Sequence, residues 1–198
     1  LVVRTASEVG NYDYLIDYRF KQNGDIYIMV GASGLDAVKG VAATTMQDPS
    51  AKTDTAHGSL IAPHLVAANH DHFFNFRLDF DIDGQDNTFM KMDLVKEEAP
   101  ADIPRRSLWG LTHAPITNEW DGRFKISSLK PQMFHVMNMN KQGPLGHNPS
   151  YMIHHGNVAY SPFDFVNDPP MKRNAYVEYS VWNTLYDPTQ RYAGGKYA

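Results

Sequence analysis

Tyr14-Leu15-Ile16-Asp17-Tyr18-Arg19-Phe20-Lys21-Gln22-Asn23-Gly24-Asp25-Ile26-Tyr27-Ile28-Met29-Val30 reads as two strands about a turn. Aromatic and β-branched residues dominate positions 14–20 and 25–30, and such side chains suit a pleated, half-buried surface. Asn23-Gly24 is the dipeptide that best tolerates the positive φ values of a type I′ turn, so the stretch predicts a tight hairpin. Outward from it the same signals recur. Residues 65–82 predict a third strand. Residues 89–95 alternate as a half-buried strand after a turn at Asp83-Gly84-Gln85-Asp86, and residues 133–139 and 176–186 predict two more. Residues 31–40 are punctuated by glycine and predict irregular structure. Helical periodicity is absent, and 12 prolines with 14 glycines fit many short strands joined by turns. The expectation is an all-β fold, an antiparallel β-sandwich.

Of the 198 residues 42% are hydrophobic and 20% charged, enough for a packed core and against wholesale disorder. Length favours one domain. Residues 96–107 shift towards charge and proline and read as a long surface loop or as a boundary. A net charge of −4 gives no electrostatic footprint for nucleic acid or anionic lipid. No apolar run approaches the roughly 18 residues that span a bilayer. The absence of cysteine excludes a disulfide framework, a thiolate metal site and a cysteine nucleophile. Phosphate-loop, dinucleotide and Gly-x-Ser-x-Gly patterns are also missing. Leu1-Val2-Val3-Arg4-Thr5 carries neither an initiator Met nor a signal pattern, and Gly194-Gly195-Lys196-Tyr197-Ala198 closes without a terminal element. The chain therefore reads as a piece of something longer.

Chemistry concentrates in Asn69-His70-Asp71-His72-Phe73-Phe74-Asn75-Phe76-Arg77-Leu78-Asp79-Phe80-Asp81. On a strand, residues i and i+2 share a face about 6.5–7 Å apart. His70 and His72 would then present two imidazoles to one point, at the edge of an apolar wall of Phe74, Phe76, Leu78 and Phe80. Imidazole suits copper, zinc, iron or nickel, and two ligands need at least one more from elsewhere. Taken alone, such a pair is more often solvated or hydrogen-bonded than metal-bound. Arg77, Asp79 and Asp81 occupy the opposite face, with Asp83 nearby. Two carboxylates at that spacing are a hard-cation donor set or, as spacing alone favours, a solvated face paired with arginine. His154 and His155 alternate to opposite faces. His57, His64, His113, His135 and His147 stand singly near loop signals, where surface or capping roles are the default.

Asn11-Tyr12-Asp13-Tyr14, just after Gly10, changes the weights. With His70-Asp71-His72 and the following Asn75-Phe76-Arg77-Leu78-Asp79, it resembles the copper amine oxidase family. That family's two blocks are Asn-Tyr-(Asp/Glu)-Tyr and a His-x-His pair followed by Asn-Phe-Arg-Leu-Asp, in this order. Residues 34–41, 58–61 and 191–197 are also similar to family text, so the resemblance spans nearly the whole chain. It implies that residues 1–198 are part of one catalytic β-sandwich domain, incomplete at both ends. The implied reaction converts primary amines, with dioxygen, into aldehyde, ammonia and hydrogen peroxide. Tyr12 would be rebuilt, with copper(II) and dioxygen, into topaquinone, the carbonyl electrophile that takes the substrate amine as a Schiff base.

By the same resemblance His70 and His72 would be two of three copper ligands, the third histidine lying beyond Ala198 and the catalytic base before Leu1. Asp79 and Asp81, with the backbone carbonyl of Phe80, would form part of a calcium site, and Glu119 would belong to a second. Asn11 and Asp13 would flank the ring in backbone or orienting roles. The full enzyme would be a homodimer, with no nucleic-acid or membrane partner, in the periplasm or outside the cell first and the peroxisome second. Two alternatives stay open. One is a metal-binding β-domain in which Tyr12 remains tyrosine. The other is a cupin-type dioxygenase, which also uses His-x-His but expects a carboxylate a few residues on, whereas Asp79 lies seven residues past His72.

Overall fold

The computed structural model describes residues 1–156 and 161–189. The stretch 191–197, which carries part of the family likeness, lies outside the described residues. The chain divides into two compact units, Leu1–His72 and Phe73–Ala198.

In the first unit, β1 (Val2–Val9), β2 (Tyr12–Phe20) and β3 (Ile26–Gly34) form an antiparallel meander in the order β1-β2-β3. Gly10, at φ +62°, closes the two-residue turn between β1 and β2. Asp17 on β2 fixes the pairing. Its carboxylate is 4% exposed and takes Arg4, its direct partner on β1, at 2.5 Å and Arg19 at 2.9 Å. Those guanidinium hydrogen bonds, Arg4 first, hold its carboxyl far below the usual carboxylate range. A slip of one residue would turn every β2 side chain to the other face. The Arg4–Asp17 pair therefore helps decide where Tyr12 points.

The second hairpin exists as expected, but its turn is longer. Residues 21–25 connect Phe20 to its partner Ile26, and only Gly24 has positive φ, +91°. Asn23 supplies the alternative: its side chain accepts the Asp25 N–H at 3.2 Å and donates to the Asp25 carboxylate at 2.8 Å. Such local side-chain bonding favours a wider loop over the type I′ turn. Residues 31–40 also depart from expectation, since β3 runs on to Gly34 and β4 (Val38–Gly40) follows.

A second small sheet, order β4-β6-β5, pairs β4 with β6 (Leu65–Ala68) and β6 with β5 (Gly58–Ala62). A helical turn, α1 (Ala51–Asp54), precedes it. The loop before α1 is tied by Asp48, whose carboxylate accepts the Thr44 N–H at 2.5 Å, the Thr44 hydroxyl at 2.8 Å and the Thr45 N–H at 3.1 Å. The Thr44 backbone bond, largest among these causes, pulls its pKa down to about 2. Because the folded-state value is depressed, this contribution is present above about pH 4 and lost as pH falls through about 2. Amide exchange at Thr44 and Thr45 is expected to speed up across that window beyond its intrinsic pH trend. Asp48→Asn should remove the added dependence.

The strand expected over residues 65–82 ends at Ala68; residues 69–81 carry no ladder. Strand signals in sequence report local preference, but a strand persists only where a neighbour takes its N–H and C=O groups.

The second unit is built on β7 (Thr88–Glu98), β8 (Ser107–Pro115), β10 (Gln132–Met137) and β11 (Ser150–Ile153), all antiparallel in the order β11-β10-β7-β8. The turn before β7 is stabilised by Asn87, which accepts the Ile82 N–H at 2.9 Å and donates to the Gly84 carbonyl at 2.9 Å. Residues 99–106 are the loop of the β7–β8 hairpin, so the charge- and proline-rich stretch is a connection within a sheet. A two-stranded sheet joins β9 (Arg123–Phe124) to β12 (Val181–Trp182). Of the strand expected over residues 176–186 only β12 forms. A short helix, α2 (Pro169–Arg173), and a 3₁₀ turn at Ala175–Glu178 precede it. Proline at the first turn of α2 fits there because that N–H has no intrahelical partner.

The core of this unit is aromatic: Phe89, Phe124, Phe134 and Val136 are buried, with Phe80, Ile82, Ile116, Ile126, Ile153 and Val181 against them. Phe124 and Phe134 stand 4.8 Å apart, centroid to centroid. Phe134 is only 1% exposed. Phe134→Ala should therefore cost about 3–5 kcal/mol, read as a lowered denaturation midpoint or as faster proteolysis within this unit. The expected all-β, antiparallel class holds throughout.

Candidate metal and cofactor site

Two pairs of residues at i, i+2 spacing meet in the first unit. Tyr12 and Tyr14 leave one face of β2, and His70 and His72 follow the end of β6. The Tyr12 hydroxyl lies 2.5 Å from His70 Nε2, and the Tyr14 hydroxyl hydrogen-bonds His72 Nδ1. The two imidazole centroids are 4.9 Å apart. His72 also stands edge-on to the Tyr12 ring at 4.6 Å. Tyr12 and Tyr14 are half-buried, while both histidines are exposed. The histidines are held together without the strand that the sequence led us to expect; hydrogen bonds to the tyrosines replace the ladder.

One backbone atom sets the chemistry of His70. Its Nδ1 is 2.8 Å from the Ala68 carbonyl. A carbonyl only accepts, so Nδ1 carries the hydrogen. In the neutral ring Nε2 then keeps its lone pair, and the Tyr12 hydroxyl donates to it. A carbonyl holding one imidazole N–H so that the other nitrogen is presented is the usual support for a metal-binding histidine. The donor set thus fits an imidazole-preferring metal such as copper, with two ligands here and none made up locally. Among the described residues no three histidine or acidic side chains gather as a metal cluster.

Gly34 positions the tyrosine. It is the cross-strand partner of Tyr12 and sits at φ +136°. A Cβ added there would collide with the Asn11 carbonyl and come within 2.8 Å of the Tyr12 Cα. Gly34→Ala should push the start of β2 away and separate Tyr12 from His70. The expected outcome is loss of the Tyr12–His70 hydrogen bond, read as a changed His70 ring resonance by NMR, with the β2–β3 pairing beyond Tyr14 retained.

The remaining predicted site residues are placed as follows. Asn11 lends its carbonyl to the Leu35 N–H at 2.8 Å, and Asp13, one residue from Tyr12, alternates to the other face of β2. In the second unit Asp79 and Asp81 are exposed on either side of Phe80, whose side chain packs into the core. Glu119 accepts the Leu185 N–H at 3.0 Å and, through its carbonyl, the Gly122 N–H at 3.1 Å. The apolar wall of the sequence reading does not form: Phe74, Phe76 and Leu78 are 41% to 48% exposed and only Phe80 is inside. Without a ladder, strict alternation is not enforced. Missed by the sequence reading were Tyr14 as the partner of His72, the Ala68 carbonyl and the constraint at Gly34. The signal for the first was present, since Tyr12/Tyr14 and His70/His72 share one period.

Comparison with known proteins identifies the family. The family model for the copper amine oxidase enzyme domain matches residues 1–198. A primary amine oxidase of Klebsiella aerogenes is 40% identical over 202 aligned residues, taking in 100% of this chain and 26% of that protein. A copper-containing, peroxisomal amine oxidase of Arabidopsis thaliana (alpha 2) is 38% identical over 100% of this chain and 29% of its own length. Among solved structures, a copper-containing benzylamine oxidase from Hansenula polymorpha superposes with a TM-score of 0.82, at 25% identity, over 99% of this chain and 30% of that one. The chain thus spans between a quarter and a third of these relatives. The match sets aside the cupin alternative. This chain belongs to the copper amine oxidase family, within its enzyme domain.

Proposed function

We propose that the protein containing this chain oxidises primary amines with dioxygen to aldehyde, ammonia and hydrogen peroxide, with Tyr12 as the precursor of topaquinone and His70 and His72 as two copper ligands. The observation that carries it is the Tyr12 hydroxyl donating to a His70 Nε2 whose tautomer the Ala68 carbonyl fixes. Copper with the quinone would supply an electrophilic carbonyl and a route for two electrons to dioxygen, which no ordinary side chain offers.

The rest is the work of the chain's own residues. His70 can offer Nε2 to a metal only when the Tyr12 hydroxyl releases that lone pair, so metal binding and the loss of the phenol's hydrogen bond are linked. Tyr14 holds His72 through Nδ1, which leaves Nε2 as the nitrogen that could meet a metal. The β1–β2 register, set by Arg4 and Asp17, keeps Tyr12 on the histidine side. Asn11 and Asp13 would act as backbone and orienting flanks. Asp79, Asp81 and the Phe80 carbonyl would hold calcium, and Glu119 would serve a second such site. Oxygen donors of this kind suit a hard divalent cation. The whole enzyme would act as a homodimer on a primary amine, in the periplasm or outside the cell first and the peroxisome second.

Adding Cu(II) in air to metal-free, full-length protein tests the reading. A visible quinone absorbance should grow only when both copper and dioxygen are present. Copper uptake with no such absorbance would support the non-catalytic alternative.

A further inference from the structure

The face of the β11-β10-β7-β8 sheet turned away from the aromatic core is rich in methionine and histidine. Phe89, Phe134 and Val136 occupy one face, so by alternation Met90 and Met92 of β7 and Met133 and His135 of β10 occupy the other. The register pairs His135 directly with Met90 and Met133 directly with Met92. The four make a block with sides of about 5 Å across strands and about 7 Å along them. Met152 on β11 is also a direct partner of His135, and His113 on β8 is a direct partner of Met92. In the sequence these histidines look solitary and loop-like. The sheet register places His113 and His135 in strands and gathers them with the methionines.

Methionine often fills gaps on a sheet face. Here the block surrounds an imidazole in an unusual state. His135 Nε2 is shut off from solvent and has no hydrogen-bond partner among the described residues. A buried polar atom left in this way calls for an explanation. Its Nδ1 is 3.5 Å from the Ser150 hydroxyl, a contact that an Nδ1–H tautomer can make while leaving a lone pair on Nε2. Burial, with His113 and His154 nearby, pushes the ring's pKa down. Met90 and Met92 are 8% and 6% exposed.

No three imidazole or carboxylate groups among the described residues gather into a metal cluster. A metal in the block must therefore draw on thioether sulfur, which selects a soft monovalent ion. We propose that Met90, Met92, Met133 and His135 form a cuprous ion site, sharing no residue with the His70–His72 pair. The inference does not rest on the oxidase reading.

The test uses full-length protein carrying His70→Ala and His72→Ala, titrated anaerobically with Cu(I) against bicinchoninate. One cuprous equivalent per protomer should remain bound, and X-ray absorption should show sulfur scatterers. Adding Met92→Leu and Met133→Leu, which keep side-chain volume, should weaken that binding at least about tenfold. No bound equivalent, or a copper shell of nitrogen and oxygen only, would overturn the proposal. So would unchanged affinity in the leucine variant. The absorption spectrum is read on unsubstituted methionines, so the proposal stays testable even where the leucine variant misfolds.

Discussion

Tyr12→Phe in the full-length protein is expected to abolish amine oxidation and the visible quinone absorbance together, while copper binding and strand content survive. Phenylalanine keeps the ring, the β-propensity and most of the burial at the start of β2, so the fold loses one exposed hydrogen bond. What disappears is the oxygen atom from which a quinone would be elaborated, and no neighbouring group replaces it. Tyr14 is hydrogen-bonded to the other histidine and belongs to a separate pair. Tyr14→Phe therefore sets the scale. Losing a hydrogen-bonded partner of a ligand costs about 10–100-fold in metal affinity or activity, which is a weakened enzyme and not a dead one. Stopped turnover in Tyr12→Phe with residual turnover in Tyr14→Phe is the expected contrast. Amine oxidation restored in Tyr12→Phe would contradict the assignment.

His70→Ala should remove the same activity by a different route. The substitution deletes Nε2 and leaves the Tyr12 hydroxyl intact but without a metal beside it. Copper affinity should fall by more than the roughly hundredfold that a lost supporting partner costs, because a ligand itself is gone. Tyr12 would then remain tyrosine even after prolonged aeration with copper. The two variants separate on one observable: Tyr12→Phe keeps copper and lacks quinone, whereas His70→Ala lacks both. Metal analysis of the purified proteins reads this directly. A normal quinone yield in His70→Ala would place the copper elsewhere.

The hairpins were legible because their residues state a local preference that the structure satisfies locally. Tyr14 to Phe20 and Ile26 to Val30 pair with each other, and the alternation over residues 89–95 is met by β7, whose pairing with β10 only the structure shows. Less legible were elements whose fate depends on distant partners. Residues 69–81 have the composition of a strand and no ladder. The stretch around Ala175–Glu178 has aromatic, β-favouring residues and yet forms a 3₁₀ turn before two strand residues. β1 carries no turn signal beyond the Gly10-Asn11 pair that closes it. At the site, spacing singled out His70 and His72 and only the family resemblance singled out Tyr12; the fold brings Tyr12 and His70 together across 58 positions of sequence. Spacing could not name the Ala68 carbonyl, since a backbone acceptor carries no side-chain signature. Nor could it show that Gly34 faces Tyr12, which is a matter of cross-strand register.

The most direct measurement is a peptide map of copper-loaded, aerated full-length protein after reaction with phenylhydrazine. The expected result is a single coloured derivative on the peptide containing Tyr12, with Tyr14 in the same peptide unmodified by fragment-ion sequencing. An intact tyrosine at position 12 in protein that has taken up copper and oxygen, or a derivative on Tyr14 in its place, would contradict the central claim that this tyrosine becomes the cofactor.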